Sequence, residues 1–163
     1  MTTDTLSRPV AREIPRTQLR AAGWIATIGL VLLAIGALAG GIALVADPDG
    51  SSVGFDPSML AGSPFTDFLV PGLILAGLFG AGSLVAAAAG LRHARLAPFL
   101  AFAIGVAQMI WIVVELAVIH ELSFLHPAMF ALGLAIATAS VPWGWPTFRA
   151  WRADRRRAGA AMT

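Results

Sequence analysis

The chain of 163 residues contains no cysteine. Disulfides, thiolate metal sites and dithiol redox chemistry are thereby excluded, and with them the mechanism of four-helix membrane oxidoreductases that work through cysteine pairs. Charge is the second scarcity. Asp, Glu, Lys and Arg make up 12% of the residues against 58% hydrophobic ones, and mean hydropathy is +0.80. A soluble domain carries about 25% charged residues to wet its surface. A Gly-rich phosphate loop, a Ser/His/Asp set and a polar region large enough for a catalytic domain are also missing. An ordinary enzyme is disfavoured on these grounds, and no cofactor is expected.

What is present instead is a set of four long apolar runs, at about 23–46, 67–91, 97–119 and 123–141. A bilayer core of roughly 30 Å needs about 20 apolar helical residues to cross it, because in lipid each backbone amide must be satisfied within its own segment. The predicted fold is therefore an all-α integral membrane four-helix bundle. A basic arm at 1–22 precedes a transmembrane domain at 23–146, and a basic tail follows at 147–163.

The arginines are one-sided. Arg8, Arg12, Arg16 and Arg20 precede the first run, Arg92 and Arg95 lie between the second and third, and Arg149, Arg152, Arg155, Arg156 and Arg157 follow the fourth. The two other loops hold Asp47, Asp49, Asp56, His120, Glu121 and His126, with no arginine. Short basic loops stay in the cytoplasm, so both termini are expected there, in a multi-pass protein of a bacterial inner membrane. The first run is too long for a signal-peptide core of about 7 to 15 residues and is expected to be an uncleaved anchor. The Arg-rich ends are suited to anionic lipid headgroups. Nucleic acid is not an expected partner, because the tail follows Trp143, Trp145 and Trp151, which have the character of interfacial anchors.

Small residues recur in Gly29, Gly36, Gly40 and Gly41, in "AGLFGAG" of the second run, and in Ala131, Ala135 and Ala139. This spacing lets helices approach closely. Tight packing within one bundle is the plainer meaning, with a homo-oligomer or a membrane protein partner as the other. No internal repeat relates the two helix pairs, so an inverted-repeat transporter is not supported.

The loop "DPDGSSVGFDPSMLAGSPFTDFLVPG" at 47–72 carries Asp47, Asp49 and Asp56, but its glycine is offset wrongly for a calcium loop and no glutamate closes it. No metal is expected there. Ser63 is placed to cap a helix beginning at Pro64. Asp67 would then fall in the early turns and Pro71 inside the helix, where it predicts a kink.

The stretches "SPFTDFLVPGLIL" at 63–75 and "GVAQMIWIVVELAVI" at 105–119 give the chain a resemblance to a family of small four-span bacterial membrane proteins of uncharacterised activity. The similarity covers about residues 23 to 141. It implies the four-span architecture and no particular chemistry. It also implies that glutamine can stand where this chain has Glu115.

Gln108 and Glu115 are the polar residues of the third run. Seven residues make almost two turns, so they share a face about 10 Å apart along the axis. The line through them is Ala101, Gly105, Gln108, Ile112 and Glu115, with Trp111 at its flank. The small residues imply that this face meets another helix. Interhelical hydrogen bonding would suffice to explain the pair. An intramembrane carboxylate also marks a possible proton or cation path, but below Gln108 this face offers only Gly, Ala, Ile and Phe and no relay. A third reading joins Glu115 with Asp67, His120, Glu121 and His126 in an outer-mouth cluster for a metal, quinone headgroup or lipid. "HELSFLH" at 120–126 lacks the two-histidine spacing of a helical zinc site, and the histidines lie at the wrong depths for haem ligation. The expected role is an accessory or interaction subunit without catalysis. The alternative is a small transporter or ligand-binding protein with its site around Glu115.

Overall fold

The computed structural model describes residues 15–119 and 123–160. Four helices account for most of them: α1, Arg16–Ala46; α2, Leu69–Leu91; α3, Ala97–Ile119; and α4, Leu125–Ala160. No strand occurs among the described residues. All four are long and apolar enough to cross a membrane. α1 packs against α2 and α4, and α3 against the same two neighbours, so α1 and α3 stand diagonally opposed.

Large apolar side chains point outward all round the bundle, among them Ile28 and Ile35 of α1, Val85 of α2, Ile110 of α3 and Leu134 of α4. In water such a surface would aggregate; against lipid tails it costs nothing. The interior is correspondingly built from small residues. Ala26, Ala37, Ala86, Ala87 and Ala101 alternate with Leu30, Leu33, Phe79 and Ile136, which brings backbones close without hydrophobic force between helices. A Cβ added at Gly105 of α3 would lie 2.7 Å from the carbonyl oxygen of Gly133 in α4, and one at Gly133 would lie 2.9 Å from that of Gly105. Gly41 of α1 meets α2 as closely, since its Cβ would stand 2.5 Å from the Ala76 nitrogen.

Two departures from the sequence pattern shape the ends. Helix α2 starts at Leu69, not at Pro64. The intervening residues are held in a loop: Ser63 Oγ accepts the Phe65 amide at 3.2 Å, and the Phe68 amide donates to the Pro48 carbonyl at 2.8 Å. Phe68 is buried with Leu44 and Leu60. Gly50, at φ 78°, adopts the left-handed turn beneath this cluster, where an added Cβ would strike Phe55 and Phe68. Pro71 consequently sits in the first helical turn, where its missing N–H removes no helical bond and causes no kink. The irregularity lies deeper instead, in a π-helical stretch at Leu75–Ala81.

Helix α4 runs on past Val141, through Pro142 and Pro146, to Ala160. Trp143 lies at the arginine end with Arg20, Trp24 and His93. It turns inward over Gly23 and Gly90 and joins the core. Beyond it, Trp145, Phe148 and Trp151 form a ladder with ring centroids 6.3 and 6.2 Å apart, and Arg152 lies 5.6 Å from the Phe148 centroid. The bundle is thus polar in charge. Arg16, Arg20, Arg92, Arg95, Arg149 and Arg152 gather at one end, and Asp47, Asp49, Asp56 and Asp67 at the other.

Candidate functional site

The acidic end of the bundle is hollow. A cavity of about 310 Å³ adjoins a second of about 260 Å³; the two share Phe55, Leu75, Trp111, Glu115 and Leu125 as wall. Both are lined mainly by apolar side chains, with a few polar groups on the α3 and α4 sides of the first.

The α3 side follows from helical spacing. Ala101, Gly105, Gln108 and Ile112 are buried and Glu115 is half-buried, one face turned inward along its length. Gln108 forms the floor. Its Cβ and Cγ pack against α4, 3.2 Å from where a Cβ of Gly133 would stand, and beneath it the α3 and α4 backbones close on each other. Trp111, one turn higher, is steadied by Phe79 of the π-helical stretch at a centroid distance of 5.7 Å and an interplanar angle of 57°. Glu115 follows, about 6 Å below the end of α3 by helical rise.

The opposite wall comes from the start of α4. His126 lines the first cavity with Ser123 and Met129. The Ser123 amide donates to His126 Nδ1 at 3.1 Å. The same nitrogen lies 3.4 Å from the Ser123 carbonyl oxygen. His126 and Glu115 both line the first cavity. Phe55 and Met59, from the loop between α1 and α2, complete the cavity.

One atom in this site is out of place in a packed interior. The buried hydroxyls of Thr27 and Ser140 each donate to a carbonyl one turn back, at 2.8 and 2.6 Å. Gln108 is only 2% exposed, yet its Oε1 is buried without a hydrogen-bond partner. Such an acceptor costs about 1 to 3 kcal/mol. Ser83 Oγ is in the same condition but lies outside both cavities.

The structure therefore brings together Gln108, Trp111, Glu115 and His126. It does not add Asp67, whose Oδ1 accepts the Leu69 amide at 3.0 Å and serves the start of α2. His120 and Glu121 lie outside the described residues. The other acids of the loop are occupied locally: Asp47 accepts from Ser51 Oγ at 2.8 Å and from the Ser52 amide at 2.7 Å, and Asp56 accepts from the Ser58 amide. These bonds favour the ionised form and hold both carboxyls below their ordinary pKa. Among the described residues, no three His, Asp or Glu side chains converge as metal ligands.

Sequence reasoning passed over Phe55, Met59 and Ser123. The signal for the first two was a phenylalanine and a methionine set in a loop otherwise rich in Gly, Ser, Pro and Asp. No family description, curated protein or solved structure matches the chain.

Proposed function

We propose that this is a small multi-pass protein of a bacterial inner membrane that binds an apolar small molecule at the acidic end of its bundle. The arginine distribution supports a cytoplasmic location for both termini and, with it, a cavity on the outer side. Anionic lipid headgroups are the natural neighbours of the Arg95 and Arg152 end, where an aromatic ladder and guanidinium groups sit together.

The observation that carries the reading is the unpartnered Gln108 Oε1 at the floor of a cavity that also holds Glu115 and His126. Nearly all buried polar side chains have a partner; Gln108 Oε1 and Ser83 Oγ have none, and of the two only Gln108 lines a cavity. The close backbone contact between Gly105 and Gly133 beneath Gln108 favours a binding site closed at its floor over a conducting path.

The test is extraction of the protein from its native membrane into lipid nanodiscs, followed by mass spectrometry of what copurifies. A parallel sample carries Gly36→Leu. Gly36 lines the first cavity at an exposed position, and a Cβ there meets nothing within 4 Å, so a side chain can be introduced at the cavity's open edge. A small molecule retained by the wild type and lost from Gly36→Leu is expected. The same molecules bound to both proteins would remove the cavity from consideration.

A further inference from the structure

We infer that one anionic glycerophospholipid is seated at the arginine end, in a groove between the start of α3 and the far length of α4; this rests on the reading of that end as the side of anionic headgroups and adds the place that holds one. Helix α4 outruns its partner. At Gly144 the two helices touch, since a Cβ there would lie 3.1 Å from the Pro98 Cβ, but α3 begins at Ala97 while α4 continues to Ala160. Past that contact a groove of about 740 Å³ opens, larger than either cavity of the acidic end.

Its walls match the two parts of a phospholipid. Leu96 and Phe99 on one side and Phe148 and Trp151 on the other make it largely apolar, and Leu96, Phe99 and Trp151 are exposed. Phe99 stands in the first turn of a membrane span, so the lining lies where acyl chains begin, the depth that tryptophan favours. Arg95 also lines the groove, and Arg152 lies 5.6 Å from the centroid of the Phe148 ring. No carboxylate lines it, and between 149 and 157 the chain carries five arginines against one acid, Asp154. A guanidinium holds phosphate through paired N–H donors. Arg95 takes the phosphate, and Arg152 adds to the positive field. A second copy of this chain fits less well, because a two-fold contact through the groove would set the arginines of one copy against those of the other.

The experiment is native mass spectrometry of the full chain in detergent micelles with equimolar dioleoylphosphatidylglycerol and dioleoylphosphatidylcholine, which share acyl chains and differ in net charge. The wild type is expected to retain one phosphatidylglycerol with a preference of about fivefold, the worth of one basic residue at an anionic surface. Arg95→Gln is expected to remove the preference. Arg20→Gln, which takes one charge from the same end at a different cavity, is expected to keep it. Ala150 is an exposed residue of the groove, and Ala150→Leu is expected to lower retention of both lipids severalfold with the melting temperature unchanged. A preference reduced equally by Arg95→Gln and Arg20→Gln, or retention untouched by Ala150→Leu, overturns the seat and leaves the general attraction of this end for anionic lipid standing. A dimer that retains no lipid and is broken by Ala150→Leu overturns the seat in favour of a second copy. No preference in the wild type overturns both.

Discussion

Replacing Gly105 with alanine tests the contact that closes the floor of the cavity. The new Cβ would lie 2.7 Å from the Gly133 oxygen and 2.8 Å from the Ala137 nitrogen. Both are backbone atoms, which cannot swing aside like the end of a side chain. Reaching an ordinary contact of 3.4 Å requires α3 and α4 to part by 3.4 − 2.7 = 0.7 Å. Overpacking of this kind costs about 1 to 3 kcal/mol, offset by about 1 kcal/mol of helix propensity, for a net loss of about 0 to 2 kcal/mol. Gly36→Ala is the internal control. It receives the same propensity gain with open space at its Cβ, so that gain cancels and the two variants should differ by the overpacking cost, about 1 to 3 kcal/mol. Unfolding in mixed micelles by titrated denaturing detergent, followed by tryptophan fluorescence, measures both. The Gly105→Ala/Gly133→Ala double variant should lose less than the sum of the singles, because each widens the same crossing. If Gly105→Ala proves as stable as Gly36→Ala, the backbone contact between α3 and α4 is not as described and the reasoning fails.

Three further outcomes are expected. Gln108→Leu should raise the stability of the unliganded protein by about 1 kcal/mol, since it removes a buried acceptor without a partner; a loss in the same detergent titration would mean that Gln108 ties the helices together. The depressed pKa of Asp47 stabilises the turn at 47–52 at pH values above the ordinary carboxylate pKa, and that contribution disappears as pH falls through the lower folded value. The protection of the Ser52 amide, its exchange rate relative to the intrinsic rate at the same pH, should therefore fall in acid, and in Asp47→Asn it should be low at neutral pH as well. An alkaline phosphatase fused after Asp49 should be active and one fused after Arg152 inactive; the reverse pattern would invert the proposed orientation.

The four helices were legible because the run of apolar residues is itself the physical requirement for crossing a bilayer. Their ends were less so. The apolar pattern stops at Val141, yet α4 continues through two prolines, because freed backbone groups in such helices can be satisfied by neighbouring side chains and local adjustment. Ser63 and Pro64 make a sound helix start by local rules, but the Phe68 amide bond to Pro48 and the burial of Phe68 with Leu44 and Leu60 decide the matter from outside the segment. Within the site, Gln108, Trp111 and Glu115 could be grouped by helical arithmetic alone. His126 was named as a candidate, but its position across the cavity depends on how α4 packs on α3. Phe55 and Met59 reach the site only through the left-handed turn at Gly50, which is a long-range fact. Asp67 was drawn toward the site by sequence proximity to the helix end, and its bond to Leu69 gives it a different task.

The π-helical stretch in α2 acts as a phase shifter. A π turn arises where a helix takes in a residue beyond the α repeat, and each residue of an α-helix turns the following face by about 100°. The segment Leu69–Ile74 and the segment Gly82–Leu91 are thereby both kept in register with α1: Gly72 against Gly41, Gly80 against Leu38 at the stretch itself, and Gly90 against Thr27, with Trp143 of α4 beside it at the far end. Removing one residue from the stretch would restore a regular helix and still misfit it, because one segment or the other would rotate out of that register. The span is in effect two short helices on a common axis, and Leu75 and Phe79 stand at the joint, one facing the cavities and the other bracing Trp111.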